Sequence, residues 1–316
     1  MNWKTKALLQ KFTALLPSQL GHELYYRLQL MFSSGQLGML DTRPNRNLEA
    51  GVHMAELITR QGHSLEGRSV LEVGTGRRLS LPMALWLCGA DEIITVDLNP
   101  YLRSRLVLGD IAYMKANHAE VRQIFHPFHG KQLFEDRFSQ LLTVRGDLDA
   151  VMSLLRLRYE APADAARLNL PDASVDVHVS SAVMEHISPV AVGGVLAEGW
   201  RVLKPDGVMV HLIDFVDHFS YTDPSLSAIH FLRFSPREWE WWSGNHFACQ
   251  NRLRLDDFRR LFQDAGLRII GEELLMDERV RAELRNGFPL DTSFRGKSEE
   301  ILATTLAWLV TERQRG

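Results

Sequence analysis

The sequence predicts an α/β protein with a doubly wound, seven-stranded sheet. Short apolar runs that suit buried strands alternate with segments of helical periodicity, which is typical of a largely parallel sheet. The first run leads directly into a glycine turn, and the second run ends at an acidic residue. We expect strands at about 70–73, 92–96, 158–161, 175–179, 208–213, 267–275 and 301–310.

The glycine turn is the element on which the functional prediction depends. It reads Glu72-Val-Gly74-Thr75-Gly76 and lies between the first strand and a helix expected at 79–88. Glycine tolerates positive φ and has no Cβ, so a ligand can come close to the backbone there. The N–H groups that begin the following helix favour an anionic group on that ligand.

Asp97, directly after the second strand, adds a second binding feature. An acid at this position can accept hydrogen bonds from the two hydroxyls of a ribose, and we include the adjacent Leu98 in the site. A dinucleotide fingerprint requires a third glycine, and Leu79 occupies that position. This disfavours an NAD-dependent oxidoreductase, which stays open as an alternative, as does a non-catalytic nucleotide-binding module.

The chain resembles the class I S-adenosylmethionine-dependent methyltransferases, and among them the type 11 subgroup. The glycine turn matches their first motif, Glu/Asp-x-Gly-x-Gly. Three further segments match later motifs in the expected order, namely Asp164-Ala165, Leu168–His186 and Arg201–Gly207. Arg77 and Asp206 depart from the family pattern.

The resemblance implies methyl transfer as the reaction and S-adenosylmethionine as the cofactor. Asp97 would then bind the ribose, and Asp164 with Ala165 would meet the adenine amino group and ring. Glu72 and the glycine turn would lie near the methionine moiety. Ser180, at the end of the fourth strand, completes the predicted cofactor site.

The acceptor site is expected at the carboxyl ends of the fourth and fifth strands, where ligands bind in such sheets. His218 and His186 are the candidate general bases, because an unperturbed histidine titrates near about 6.5. We expect His218 to be the base, with Asp217 beside it as the orienting acid; for His186 a structural role is equally open. Metal-dependent O-methyltransferases carry clustered acids after the fourth strand, whereas Ser180-Ser181 stands here, so we predict no metal.

We expect a methyltransferase domain at 67–316, preceded by a helical extension or lid at 1–66. Two long inserts interrupt the domain, a mostly helical one at about 100–157 and an aromatic one at about 214–251. The aromatic insert either stacks against a ring of the acceptor or forms a small core of its own. The first helix is basic and amphipathic, which allows at most peripheral contact with an anionic membrane.

Composition restricts the partners of the protein. The formal net charge of -3 argues against a nucleic-acid partner, and two distant cysteines suit a reducing, cytoplasmic compartment. No apolar run approaches the roughly 20 residues of a membrane span. The predicted function is therefore methyl transfer to a small molecule, such as a sugar, lipid-linked or natural-product hydroxyl in bacterial polysaccharide or secondary-metabolite biosynthesis. The oligomeric state is not predicted.

Overall fold

The computed structural model describes residues 1–33 and 44–314, leaving aside the side chains at 18, 19 and 29–33. Seven strands form one sheet in the order β3-β2-β1-β4-β5-β7-β6, which confirms the predicted fold class. Strands β1 to β5 are parallel, and β7 lies antiparallel between β5 and β6. The strands are β1 (Ser69–Val73), β2 (Glu92–Val96), β3 (Leu157–Glu160), β4 (Val175–Ser181), β5 (Leu203–Asp214), β6 (Leu267–Met276) and β7 (Thr304–Arg313).

Helices precede the sheet, cover both of its faces and fill the two inserts. Short 3₁₀ turns occur at 126–128, 184–186, 230–233 and 292–294. The α-helices are α1 (Trp3–Ala14), α2 (Ser18–Ser33), α3 (Asn45–Arg60), α4 (Ser80–Leu87), α5 (Ser104–Ala116), α6 (His118–Ile124), α7 (Gln132–Thr143), α8 (Leu148–Leu154), α9 (Pro189–Val202), α10 (Pro236–Ser243), α11 (Leu255–Asp264), α12 (Glu278–Arg285) and α13 (Glu299–Ala303).

Two strands differ from their predicted bounds by more than two residues. Strand β5 begins five residues early, because Leu203 pairs with Val175 and the chain then bulges before Val208 pairs with Val177. Strand β7 begins late, because 301–303 belong to α13, whose N-cap Ser298 accepts a hydrogen bond from the Ile301 N–H. An apolar run of this length fits either a strand or a buried helix, so periodicity could not separate the two.

Alternate residues of the central strands supply two cores, one on each face of the sheet. Val70 packs in a core with α3, α4 and the helical insert, whereas Leu71 packs in a core with α9 and α11. Side chains of a strand point to opposite faces with a period of two, so burial on both faces explains why β2 is apolar at Ile93, Ile94 and Val96.

A third, smaller core joins the aromatic insert to the N-terminus. Trp3 of α1 packs with Phe219, Phe231 and Trp239 of the insert, and Val280 of α12 closes the cluster. The insert therefore forms a core of its own, the second of the two possibilities its composition allowed. This core fixes the insert beside the carboxyl ends of β4 and β5.

Helix α1 is bound to the insert through its polar side. The Lys6 ammonium donates to the His218 carbonyl at 2.9 Å, and the Gln10 amide donates to the Phe247 carbonyl at 3.0 Å. The polar residues Lys6, Gln10 and Thr13 are therefore buried, and apolar residues of α1 point outward. Within the described ranges, no helix is both long and apolar enough to cross a membrane.

Candidate active site

The glycine turn leaves an open approach at one of its two glycines. Gly74 and Gly76 both have positive φ, at 90° and 63°. A Cβ on Gly74 would lie 2.4 Å from a methyl group of Val183, so glycine is required there for packing against the loop after β4. A Cβ on Gly76 would meet no heavy atom of the described residues within 4 Å. A ligand can therefore approach the backbone at Gly76.

Asp97 connects the glycine turn to the loop after β3. Its carboxylate accepts hydrogen bonds from the Gly76 N–H at 2.8 Å and the Asn99 N–H at 2.9 Å, and burial raises its pKa. Its backbone carbonyl accepts from the Ala163 N–H at 2.9 Å, which brings Asp164 to the same edge of the sheet. Asp164 is exposed, with Ala165 half-buried beside it, and Leu98 is exposed.

Glu72 lies beneath the turn, inside the protein. Its carboxyl group is buried and accepts a hydrogen bond from the Thr95 hydroxyl. Burial raises the pKa of Glu72 to about 8. The Thr75 hydroxyl lies 2.6 Å from the Thr95 hydroxyl and so also points inward. Both side chains support the shape of the turn, while its open side offers backbone groups.

Ser180 does not face the open side of the turn, contrary to its predicted place in the cofactor site. Its hydroxyl is fully buried and lies 2.8 Å from Nδ1 of His211. The alternation along β4 puts Ser180 on the same face as His178, which packs against Gly199 of α9. The sequence placed Ser180 correctly at the end of β4 but could not show which face it occupies.

A polar cluster occupies the carboxyl ends of β4 and β5. The rings of His186 and His218 have centroids 4.8 Å apart, so the two predicted bases lie together. Nε2 of His218 lies 3.4 Å from a carboxylate oxygen of Asp214, which also accepts a hydrogen bond from the Tyr221 hydroxyl. We use the term polar cluster for Glu185, His186, Asp214, His218 and Tyr221.

Asp217 lies outside this cluster, and its predicted pairing with His218 is not formed. Its carboxylate is fully buried, lies 3.0 Å from Nδ1 of His230 and accepts the Phe219 N–H at 2.8 Å. Asp217 therefore lies against His230, whose ring packs on Trp3 of the third core, whereas His218 lies in the cluster. The acid beside His218 is Asp214, from the last position of β5.

The end of the aromatic insert holds His186 in place. Nδ1 of His186 lies 2.8 Å from the Cys249 carbonyl, and the Asn251 N–H donates to the Glu185 carbonyl at 2.8 Å. A carbonyl can only accept, so Nδ1 carries the hydrogen and Nε2 presents a lone pair. Although part of the side chain reaches solvent, desolvation by the surrounding protein atoms and, to a smaller extent, the neighbouring His218 together lower the pKa of His186 to about 4.

Glu185 is the most unusual member of the cluster. Its side chain is buried, and neither carboxylate oxygen has a hydrogen-bond partner among the residues that the structure describes. Burial raises the pKa of Glu185 well above its ordinary value, and the charge of Asp214 adds to this. Buried polar groups in proteins are nearly always paired, so the unpaired carboxyl group indicates a ligand position.

The same residues include a set that could hold a metal ion. Three donor atoms, one each from Glu185, His186 and His218, lie within 4.8 Å of one another. The sequence predicted that these residues lie at the same edge of the sheet as acceptor-site candidates, with no metal, although Glu185 and His186 follow β4 and His218 begins the insert. Their meeting depends on the parallel neighbours β4 and β5 ending at one edge.

Helix α2 lies over the glycine turn. The residues that make this contact could not be predicted from the sequence. The Arg77 guanidinium, next to Gly76, lies 4.6 Å from the Tyr26 ring centroid, and the Arg103 guanidinium lies 4.4 Å from the same centroid. Glu23 of α2 forms an ion pair with Arg103 at 2.8 Å. The only signal in the sequence was the pair of aromatic residues in an otherwise ordinary helix.

The fold and the site define a class I methyltransferase architecture, with a glycine turn after β1 and an acid after β2. A family model described as a methyltransferase domain matches residues 46–272, more than two thirds of the chain. The chain therefore belongs to this methyltransferase family. It is an S-adenosylmethionine-dependent methyltransferase, and S-adenosylmethionine is its cofactor.

Several solved structures resemble the chain at low sequence identity. A methyltransferase in complex with the Haloferax volcanii Trm112 methyltransferase activator is 16% identical, with a TM-score of 0.44, over 85% of this chain and 93% of that one. An S-adenosylmethionine-dependent methyltransferase from Mesorhizobium loti is 14% identical, with a TM-score of 0.42, over 79% and 92%. Geranyl diphosphate methyltransferase in complex with SAM is 13% identical, with a TM-score of 0.45, over 83% and 85%. A comparison with curated proteins finds no match.

Proposed function

We propose that this methyltransferase transfers the methyl group to a hydroxyl oxygen of a small molecule held at the polar cluster. The observation that carries the proposal is the buried, unpaired carboxyl group of Glu185 beside two imidazoles. The cluster adjoins the cofactor side of the sheet, because Val183, two residues before Glu185, packs directly against Gly74.

The residues around the glycine turn suit the cofactor. Asp97 is positioned to accept hydrogen bonds from the ribose hydroxyls, and the open backbone at Gly76 leaves room for the amino-acid portion. Asp164, Ala165 and the exposed Leu98 are proposed to contact the adenine. Glu72, Gly74 and Thr75 keep the turn in shape, and S-adenosylmethionine, when bound, supplies a methyl group activated by a sulfonium.

A hydroxyl acceptor fits the chemistry of the cluster. The cluster offers carboxylate and imidazole acceptors, which bind a group that donates a hydrogen bond and then loses its proton. Alignment of the hydroxyl oxygen with the methyl group contributes about 7–11 kcal/mol toward the barrier. Asp214 and Tyr221 hold His218, while the insert holds His186, so the acceptor contacts are fixed before the acceptor binds.

The domain organisation, the acceptor class and the cellular location are also part of the proposal. We propose that residues 1–66 act as an extension whose helix α2 covers the cofactor, and that 67–316 form the catalytic domain. A sugar, lipid-linked or natural-product hydroxyl in polysaccharide or secondary-metabolite biosynthesis is the proposed acceptor class. The cytoplasmic location follows from the cysteine content and is proposed on that ground.

The test combines cofactor binding with product analysis. Purified protein is incubated with S-adenosylmethionine carrying a labelled methyl group and a panel of phenolic, sugar and lipid-linked sugar acceptors. We expect label in an ether that survives base and is located on oxygen by mass spectrometry. Label on nitrogen or carbon would overturn the oxygen assignment, and lack of cofactor binding by calorimetry would overturn the cofactor site.

A further inference from the structure

We propose that Glu185, His186 and His218 bind a divalent transition-metal cation, an inference that rests on the proposed function of the polar cluster. Their donor atoms lie within 4.8 Å of one another and come from two separate segments. Donors bound to one such ion at about 2.0–2.2 Å lie roughly 3–4 Å apart. Small side-chain rotations therefore convert the observed arrangement into a coordination set.

The hydrogen bonding of His186 is that of a metal ligand. A histidine that binds a metal through one nitrogen commonly donates its other N–H to a backbone carbonyl, which fixes the tautomer. Nδ1 of His186 meets the Cys249 carbonyl at 2.8 Å in this way, so Nε2 is available as the donor. The insert residue Asn251 fixes the same turn through the Met184 and Ile187 carbonyls, at 2.8 Å each.

The charges in the cluster also favour a cation. Glu185 and Asp214 bring two buried carboxyl groups to one place, and no hydrogen bond to the Glu185 carboxyl group occurs within the described residues. A buried carboxylate is costly unless it is paired or coordinates a metal. Asp214 accepts from Tyr221 and lies against His218, so it is suited to orient that ligand.

The donor set indicates which ions fit and what they would do. Two imidazoles and one carboxylate suit zinc, iron(II), cobalt or manganese better than magnesium or calcium, which prefer oxygen ligands. Three protein ligands leave positions for the oxygen of an acceptor hydroxyl. A bound cation lowers the pKa of that hydroxyl, so the two histidines would serve as ligands in place of a free imidazole base.

Metal binding can be measured without knowing the acceptor. Metal-free protein is titrated with Co²⁺ and with Zn²⁺, using calorimetry and the visible absorption of bound Co²⁺. We expect one equivalent to bind to the wild type, and affinity to fall by roughly tenfold or more in Glu185→Gln and in His186→Ala. The exposed His118, remote in sequence from the cluster, provides the control variant His118→Ala, which should bind metal like the wild type.

The outcomes separate the metal proposal from the proposed function. Equal Co²⁺ affinity in wild type and Glu185→Gln, or no binding by wild type, would overturn the metal site. Thermal melting of each variant checks that it folds, and His186→Ala serves as the second test if Glu185→Gln does not. Cofactor affinity is measured in the same samples: cofactor binding without metal binding overturns this proposal alone.

A separate observation carries a second proposal, concerning the outer face of α1. We infer that this face, together with Trp241, binds the surface of an anionic membrane. Leu8, Phe12 and Leu15 are 53%, 61% and 84% exposed and recur at the spacing of one helix face. Trp241 is 54% exposed, and the Lys11 ammonium lies over its ring, 3.6 Å from the ring centroid.

The orientation of α1 is the reverse of that of an ordinary surface helix. Beyond Trp3, its buried side carries the polar residues Lys6, Gln10 and Thr13, which form hydrogen bonds, while Leu8, Phe12 and Leu15 face outward. Exposed apolar residues flanked by lysines and an exposed tryptophan match the interface between lipid acyl chains and anionic headgroups. Such a surface also suits access to a lipid-linked acceptor.

Vesicle sedimentation tests this surface. The full-length protein is mixed with vesicles of phosphatidylcholine alone or of equal parts phosphatidylcholine and phosphatidylglycerol. We expect binding to the anionic vesicles that falls roughly tenfold or more in Phe12→Glu. Val190→Glu is the matched control, since Val190 is exposed on α9, away from the N-terminal helix.

Two results would overturn the membrane proposal. The first is equal binding of Phe12→Glu and wild type to anionic vesicles. The second is a wild type that does not bind vesicles and is a dimer in sedimentation velocity, while Phe12→Glu is a monomer. That result would show that the face binds a second copy of the chain.

Discussion

At the residue scale, the partners of each side chain at this site are set by the fold and not by sequence neighbours. Asp217 adjoins His218 in the chain but bonds to His230, whereas Asp214, four residues before His218, is the acid beside it. Likewise, Glu185 and His218 are 33 positions apart and share one cluster. The candidate residues could be predicted from the sequence, but their pairing required the structure.

Asp97→Ala should abolish tight cofactor binding while the fold persists. Each hydrogen bond from a ribose hydroxyl to this carboxylate is worth about 1.5–3 kcal/mol. Because Asp97 also accepts from Gly76, the turn itself loses a contact in this variant. Calorimetry with S-adenosylmethionine measures the loss, with thermal melting to follow folding. Unchanged affinity would contradict the role of Asp97, and Asp136→Ala, on the surface of α7, controls for loss of one carboxylate.

His218→Ala and His186→Ala should lower the methyl-transfer rate by similar factors, about 10²–10⁴-fold, since both residues contact the same group. The sequence alone predicted a larger effect for His218. Single-turnover rates at saturating cofactor measure both variants, and cofactor affinity should change little because neither residue borders the glycine turn. A loss confined to His218→Ala would favour a single base over the shared cluster.

At the scale of elements, the sheet was predictable and the docking of the insert and the N-terminal helices was not. Buried parallel strands such as β2 and the later part of β5 are mostly apolar, because both of their faces are covered. Helix α1 shows the limit of such patterns. Its amphipathic pattern did not show that Lys6 is buried, with its ammonium donating a hydrogen bond to the His218 carbonyl. Long-range contacts of this kind leave no local periodicity.

Loss of the Tyr26 ring should loosen α2 over the glycine turn. Tyr26 is buried and lies under the guanidinium groups of Arg77 and Arg103. Contacts of this kind contribute about 0.5–2 kcal/mol, so Tyr26→Leu should speed cofactor dissociation by roughly 2- to 30-fold. Stopped-flow displacement of bound cofactor measures the rate. Tyr26→Phe keeps the ring and should dissociate like wild type; equal rates in all three proteins would argue against a covering role for α2.

At the scale of the whole molecule, the sheet contains two buried imidazoles whose protonation affects the stability of the fold. His178 of β4 and His211 of β5 are fully buried, with ring centroids 5.2 Å apart. Neither nitrogen of His178 has a hydrogen-bond partner in the described part of the chain. Burial lowers the pKa of His178 to about 4, and burial followed by repulsion from His178 lowers that of His211 well below its ordinary value. Both rings are therefore neutral in the folded protein near neutral pH.

This pair predicts that stability falls as the pH drops from about 6.5 toward 4. In that range the unfolded chain binds protons at both histidines, near their ordinary pKa of about 6.5, while the folded protein does not. The free energy of unfolding is therefore fully retained above pH 6.5 and decreases below it, on the order of 3 kcal/mol by pH 4 for His178 alone.

Urea unfolding measured from pH 7 to pH 5 should show this slope. His178→Leu removes one titrating group, so its slope should be shallower by up to about 1.4 kcal/mol per pH unit, whereas His118→Ala, at an exposed position, should follow the wild type. Parallel slopes for His178→Leu and wild type would show that His178 takes up a proton without unfolding, and the buried pair would then not be the source of acid sensitivity.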